Sequence, residues 1–154
     1  MNQVLEYQKW ATPRAKELLE VLLKGLNFNE IDESLEPLLM GTVAIIINYY
    51  PPCLNPNIAI GCRRHCDVSC ITLLLQDDMG GLYVRGTKGD NWILVNLIKG
   101  ALAVNIGSSL QIMSNDRYKS IKHCATVDSS LLEYPYRYFL ILILIVSLVH
   151  FNKC

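Results

Sequence analysis

From Thr42 onward the chain is a succession of short apolar segments rich in β-branched residues, and this pattern constrains the fold more than any other feature. Val43 to Ile47, about His65 to Gln76, and Leu82 to Arg85 are three such segments. Glycine, asparagine and proline, which are typical of turns, separate them. Many short strands at regular spacing predict an antiparallel sandwich or barrel, and we expect a jelly roll.

A helix is predicted ahead of these strands. Thr12 can cap it, Pro13 suits its first position, and Gly25 lies near its end, which gives a helix from about Thr12 to Leu26. Later in the chain, Gly107 to Leu110 is expected to be a turn. The predicted class is therefore mostly β with an amino-terminal helix (α+β). Three regions follow: a helical lead-in (1–41), a jelly-roll core (42–128) and a divergent hydrophobic tail (129–154).

Net charge gives no argument for a nucleic-acid partner or an anionic membrane surface, because 14 basic residues balance 14 acidic ones. The first ten residues are polar and lack the apolar segment of a secretory signal, so we expect a cytoplasmic protein with reduced thiols. Zinc held by thiolates is the weaker interpretation, since no C-x-x-C pair is present. The cysteines are Cys53, Cys62, Cys66, Cys70, Cys124 and Cys154.

The tail contains a strongly apolar run from Tyr138 to Phe151. Its length of about fourteen residues is below the roughly twenty that a helix needs to span a bilayer. We expect a buried pair of β-strands here rather than a membrane-associated segment.

His65 and Asp67 form a candidate metal site. On a strand, residues i and i+2 point to the same face, so the imidazole and the carboxylate would converge. The tripeptide alone is weak evidence, because such residues are more often solvated. His123, expected at the end of a later strand, would complete the two-histidine, one-carboxylate facial triad of non-haem Fe(II) oxygenases. For Arg63 and Arg64, directly before the triad, a solvated face is favoured over contact with an anionic substrate.

Two long motifs carry a family resemblance that extends from about Val4 to Asp128. They read INYYPPCLNPNIAIGCRRHCDVSCITLLLQDDMGGLYVR and NWILVNLIKGALAVNIGSSLQIMSNDRYKSIKH. Together they resemble the plant 2-oxoglutarate/Fe(II)-dependent dioxygenases. The lead-in LLEVLLKGLNFNEIDESLEPLLMG is most similar to the subgroup that ortho-hydroxylates feruloyl-CoA on the way to coumarins.

The resemblance implies a double-stranded β-helix and an oxidoreductase that uses O₂. His65, Asp67 and His123 match the family's iron ligands, and Asn48 and Tyr50 match positions that line the 2-oxoglutarate site. Fe(II) and 2-oxoglutarate are the implied cofactor and co-substrate, with ascorbate as an optional addition. The implied reaction couples conversion of 2-oxoglutarate to succinate with hydroxylation of a small aromatic, phenylpropanoid-type molecule.

The sequence departs from the family pattern in two places. Little of the family's amino-terminal region precedes the predicted helix, so the core is expected to be incomplete. The family also places an Arg-x-Ser strand about ten residues after the last histidine, where its guanidinium holds the far carboxylate of 2-oxoglutarate. Glu133 occupies that position here, and Arg137 lies four residues later. The alternative is therefore a catalytically inactive metal-binding fragment that acts as a binding protein.

Overall fold

The computed structural model describes residues 2–28, 36–50, 60–76, 80–88, 90–126 and 139–147. The helices in this part of the chain are α1 (Asn2–Lys24), α2 (Glu36–Leu39) and α3 (Ser108–Met113). The strands are β1 (Thr42–Tyr50), β2 (Ile60–His65), β3 (Ile71–Gln76), β4 (Leu82–Arg85), β5 (Trp92–Leu94), β6 (Leu102–Ile106), β7 (His123–Thr126) and β8 (Phe139–Ser147).

The strands form two four-stranded sheets whose neighbouring strands are all antiparallel. The first sheet has the order β1-β8-β3-β6, and the second has the order β2-β7-β4-β5. Each sheet thus combines strands that are distant in sequence, as a jelly roll requires. The predicted α+β class with a jelly-roll core is confirmed.

Part of the apolar tail is a strand of the first sheet. β8 pairs with β1 over nine positions, from Thr42 opposite Ser147 to Tyr50 opposite Phe139, and with β3 on its other side. The described part of the tail is therefore one strand and not the predicted pair. It is hydrogen-bonded to β1 on one side and to β3 on the other. No helix in the described ranges is both long and apolar enough to cross a membrane.

Helix α1 begins ten residues earlier than predicted, and Pro13 lies inside it rather than at its first turn. An internal proline removes one backbone hydrogen bond. Burial offsets that cost: Ala11, Ala15 and Leu19 are fully inaccessible and belong to one core cluster with residues of β3. The expectation that Thr12 caps the helix is wrong, because the helix begins at Asn2 and Thr12 lies inside it.

The segment before β7 also differs from the prediction. The expected turn at 107–110 contains the start of α3, and the chain then stays irregular until β7 begins at His123. Side chains of α3 and its C-cap hold this segment: Gln111 Oε1 accepts the backbone N–H of Ser120 at 2.6 Å, and Ser114 Oγ accepts that of Tyr118 at 3.0 Å. These bonds satisfy backbone groups that a strand would have paired. His123 therefore starts its strand instead of ending one.

A second core cluster lies between the two sheets, close to the candidate site. Tyr50 and Leu74 from the first sheet contact Leu82 and Ala125 from the second. Because this cluster joins the sheets, it fixes how the histidine-bearing strands β2 and β7 face the first sheet.

Replacing Gly107 by alanine should destabilise the protein. A Cβ at this buried position would overlap the backbone carbonyl oxygen of Ser69, which cannot rotate away. We expect a loss of about 1–3 kcal/mol in the free energy of unfolding, as for other overpacked sites, measured by urea denaturation. Gly100→Asn is the control: its φ of 75° suits asparagine and nothing lies within 4 Å. Equal stability of the two variants would contradict the prediction.

Candidate metal centre

Cross-strand pairing in the second sheet brings the two histidines together. His65 is the last residue of β2, and its Cα pairs with that of His123, the first residue of β7. The centroids of the two imidazole rings are 4.3 Å apart. Residues separated by 58 positions in sequence thus become direct neighbours because β2 and β7 are antiparallel partners.

Asp67 reaches the histidines from a loop and not from a strand. The prediction that His65 and Asp67 share one face of one strand is wrong, because β2 ends at His65 and β3 starts at Ile71. The chain turns between these strands, and the turn directs the carboxylate back towards the imidazoles. Backbone bonds from α3 hold this turn: Ser108 N–H donates to the carbonyl oxygen of Asp67 at 2.7 Å.

The three side chains form a compact donor set. Asp67 Oδ1 lies 3.4 Å from His65 Nε2 and 3.6 Å from His123 Nε2. One donor atom from each residue falls within 4.8 Å of the others, which is close enough for one ion to contact all three. Two imidazole nitrogens and one carboxylate oxygen on one side of a metal are the donor set of non-haem Fe(II) sites. The residues present therefore fit such an ion.

The hydrogen bonds of both imidazoles leave the nitrogens of this donor set free for a metal. His65 Nδ1 lies 2.7 Å from the carbonyl oxygen of Arg63, and His123 Nδ1 lies 3.2 Å from that of Ile121. A carbonyl oxygen can only accept, so each Nδ1 carries a hydrogen and donates it. Each neutral ring then has its lone pair on Nε2, the nitrogen that faces Asp67.

The second oxygen of Asp67 is held by two residues that the sequence analysis did not single out. Asp67 Oδ2 accepts from Thr72 Oγ1 at 2.7 Å and from Asn105 Nδ2 at 2.8 Å. Because Thr72 donates to the carboxylate, its oxygen accepts from the hydroxyl of Ser69 at 2.9 Å. A sequence signal existed, since Thr72 and Asn105 are polar residues within the apolar strands ITLLLQ and LAVNI.

Burial across the centre is uneven. The side chain of His123 is 10% exposed and that of Asp67 is 14% exposed, whereas that of His65 is 42% exposed. The centre is thus accessible from solvent on the His65 side.

An apolar cavity of about 300 Å³ lies beside His123. Its walls come mainly from β4 and β6, and Asn105 and His123 are its two polar lining residues. A cavity of this size and polarity suits a small organic group placed next to the centre.

Tyr50 is buried near the centre as a neutral phenol. Burial, followed by the neighbouring Cys62, raises the pKa of Tyr50 to about 12, so its hydroxyl is a hydrogen-bond donor at neutral pH. The phenol hydrogen-bonds Cys62, whose Sγ lies 3.7 Å from His65 Nδ1. Asn48, two residues earlier on β1, is half-buried. Their role in binding 2-oxoglutarate stays a prediction.

Four cysteines of the described ranges form no disulfide, and their redox state stays a prediction. They are Cys62, Cys66, Cys70 and Cys124. In these ranges, the group that could hold a metal is the one formed by His65, Asp67 and His123, and it includes no thiol. Glu133 and Arg137 lie outside the described residues.

Comparison with known proteins decides the family. Residues 41–140 match the 2OG-Fe(II) oxygenase superfamily. The chain belongs to this superfamily. Fe(II) and 2-oxoglutarate, which the resemblance implied, are the metal and co-substrate that define it.

Curated members of the superfamily are close in sequence. A bifunctional coumaroyl-CoA and feruloyl-CoA ortho-hydroxylase of Ipomoea batatas is 56% identical over 122 residues, which is 79% of this chain and 34% of that protein. A feruloyl-CoA ortho-hydroxylase of Arabidopsis thaliana is 47% identical over 122 residues, with the same coverage of 79% and 34%. The chain therefore spans about a third of the length of these 2OG-Fe(II) oxygenases.

Solved structures share the fold. The crystal structure of JOX2 in complex with 2OG, Fe and JA gives a TM-score of 0.79 at 32% identity, over 94% of this chain and 41% of that chain. The dioxygenase for auxin oxidation 1 from Arabidopsis thaliana, in its 2-oxoglutarate complex, gives 0.62 at 19% identity, over 73% of this chain and 40% of that one. The second likeness supports the fold alone.

Removing the Thr72 hydroxyl should weaken metal binding by this oxygenase core. Thr72→Val keeps the shape of the buried side chain but takes away one of the two donors to Asp67 Oδ2. We expect about 10- to 100-fold lower affinity for Co(II), an air-stable substitute for Fe(II), in calorimetric titration. Thr126→Val, at an exposed strand end, is the matched control and should bind as the parent does. Unchanged affinity in Thr72→Val would contradict a positioning role.

Proposed function

We propose that this chain is the catalytic core of an Fe(II)- and 2-oxoglutarate-dependent hydroxylase that acts on a phenylpropanoid CoA ester. The observation that carries the proposal is the convergence of His65 Nε2, His123 Nε2 and Asp67 Oδ1 within bonding reach of one ion. We assign these residues as the iron ligands. O₂ and a small aromatic molecule are the partners, and the balanced net charge gives no argument for a nucleic-acid partner.

The protein's contribution to the reaction is positional. Bound iron and 2-oxoglutarate would supply the oxidising chemistry, in which the oxo acid and O₂ give succinate and CO₂ and the substrate gains a hydroxyl group. The carbonyls of Arg63 and Ile121 keep a proton on each Nδ1 and so keep each Nε2 available. Thr72 and Asn105 hold one carboxylate oxygen so that the other faces the metal. These contacts fix the donor geometry before a ligand arrives, which lowers the cost of assembling the centre.

Two features of the site support a place for the organic ligands. Tyr50 offers a protonated phenol, which can donate to a carboxylate of 2-oxoglutarate, and Asn48 lies on the same strand. The cavity next to His123 offers an apolar wall on the less exposed side of the centre. We assign Tyr50 and Asn48 to the co-substrate site.

The proposed substrate class is inferred from the activities for which similar proteins are named. Proteins 47–56% identical to this chain are named as feruloyl-CoA or coumaroyl-CoA ortho-hydroxylases. This favours a hydroxylation on the way to coumarins, in the cytoplasm, with ascorbate as an optional cofactor. The described cysteines form no disulfide, which suits that compartment.

Anaerobic addition of Fe(II) and 2-oxoglutarate should produce a visible charge-transfer absorption band, followed by succinate formation when O₂ is admitted. Asp67→Ala should lose the band because it removes the carboxylate ligand. Glu6→Ala removes an exposed carboxylate from α1 and should keep the band. Absence of both the band and succinate with the parent protein would disprove the proposed activity.

An inactive metal-binding fragment is the second candidate, and the composition of β8 favours it. The strand reads FLILILIVS and contains no basic residue, although it pairs with β1 beside Tyr50. The carboxylate of 2-oxoglutarate farthest from the metal would then receive no cation from this strand. In this case the centre binds metal while 2-oxoglutarate binds weakly.

An arginine placed opposite Tyr50 should separate the two candidates. Phe139 is the Cα partner of Tyr50 in the pairing of β8 with β1, and residues directly opposite each other are the nearest cross-strand neighbours of an antiparallel pair. If a missing cation limits the protein, Phe139→Arg should strengthen 2-oxoglutarate binding to the Co(II) form by about tenfold or more. Leu140→Arg, opposite the exposed Tyr49, is the matched control. Tight binding by the parent, with no gain in Phe139→Arg, would reject the inactive fragment.

A further inference from the structure

Three basic residues and a tryptophan lie on the second sheet or directly beside it, at the same end as the metal centre. The guanidinium carbon of Arg64 lies 5.0 Å from the centroid of the Trp92 ring. Arg85 is the direct cross-strand partner of Trp92, and its backbone N–H donates to the carbonyl oxygen of Lys122 at 2.8 Å. We call Arg64, Arg85, Trp92 and Lys122 the outer patch.

Strand alternation places the outer patch on the face opposite the metal. Val84 pairs with His123, and both line the cavity inside the jelly roll. Their neighbours Arg85 and Lys122 therefore project outward, and both are exposed. Arg64 is exposed as well, and it precedes His65 as Lys122 precedes His123. The exposure of Arg64 agrees with the solvated position expected from the sequence. Its contact with the Trp92 ring was not expected.

The patch combines a flat surface with an excess of positive charge. Arg64 stacks on the half-buried indole of Trp92, which holds its planar guanidinium in place. Arg85 forms an ion pair with the exposed Asp90, and within the described ranges neither Arg64 nor Lys122 pairs with a carboxylate, so the described part of the patch has more basic than acidic groups. The chain as a whole is neutral, with 14 basic and 14 acidic residues, so this local excess is a property of the face. Planar groups stack on nucleobases, and cations attract phosphates.

We propose that the outer patch binds the nucleotide end of the CoA portion of the substrate. This rests on the proposed function, because a CoA ester has an adenine ring and phosphates at one end and its aromatic acyl group at the other. Adenine would stack at Arg64 and Trp92, and the phosphates would contact Lys122 and Arg85. The flexible pantetheine arm would then pass over the end of the sheet to bring the acyl group to the metal. The patch sets specificity for the ester over the free acid.

Binding of coenzyme A can be followed through Trp92 without metal. The chain has 2 tryptophans, so in a Trp10→Phe background the fluorescence reports Trp92 alone. We expect saturable quenching by coenzyme A that weakens with added salt.

Arg64→Gln and Lys122→Gln should each raise the dissociation constant about tenfold, as expected for a lost charged hydrogen bond. Arg14→Gln removes the same charge from α1, which packs on the first sheet, and should change nothing. Circular dichroism checks that each variant is folded.

Two further ligands sharpen the test. Pantetheine, which lacks the nucleotide, should not compete with coenzyme A, and tripolyphosphate, which lacks the base, should compete only weakly. Arg64→Lys keeps the charge but loses the planar group, and should fall between the parent and Arg64→Gln. Equal binding of pantetheine and coenzyme A, equal competition by tripolyphosphate, or no effect of either glutamine variant would overturn the proposal. Because these titrations omit iron, their failure leaves the charge-transfer test of the hydroxylase untouched, and the reverse also holds.

Discussion

The structure of the site depends on one carboxylate, that of Asp67, held between two imidazoles on one side and two hydrogen-bond donors on the other. A carboxylate that is largely removed from water is stable only when both oxygens have partners. Thr72 and Asn105 satisfy Oδ2. Oδ1 faces the two Nε2 atoms, whose lone pairs cannot donate to it, so a cation held by all three atoms would be its partner. The two oxygens thus have different roles. Oδ2 accepts hydrogen bonds, and Oδ1 is left to bind a cation together with the imidazoles.

Both sheets are needed to build this arrangement. The second sheet supplies the histidines through the pairing of β2 with β7, and the first sheet supplies Thr72 from β3 and Asn105 from β6. The carboxylate lies on the loop that connects the sheets between β2 and β3. Any change in how the sheets pack would therefore move ligands and donors relative to one another. The interior cluster of Tyr50, Leu74, Leu82 and Ala125 is thus part of what keeps the centre assembled.

The second sheet uses its two faces for different chemistry. His123, the first residue of β7, lines the interior cavity, whereas Lys122, directly before the strand, is exposed. At the end of β2, Arg64 is exposed and His65 is part of the candidate centre. One set of strands can therefore present a metal centre inside the jelly roll and a basic, aromatic surface outside it. Strand alternation with a period of two makes this division possible without any added element.

The sequence by itself determined the class of fold, the family and the candidate metal donors. Alternating short apolar segments and turn residues require sheets, and a histidine, a carboxylate and a second histidine within the quoted motifs define the chemistry.

Tertiary structure alone decided how these residues meet. His65 and Asp67 do not share a strand, Pro13 lies inside α1, His123 starts β7, and Thr72 and Asn105 complete the site. Each of these depends on burial or on hydrogen bonds between segments far apart in the chain, such as the contact from Asn105 to Asp67 across 38 positions. Local sequence patterns carry no information on which distant groups will satisfy a buried polar atom, because that is set by how the sheets pack.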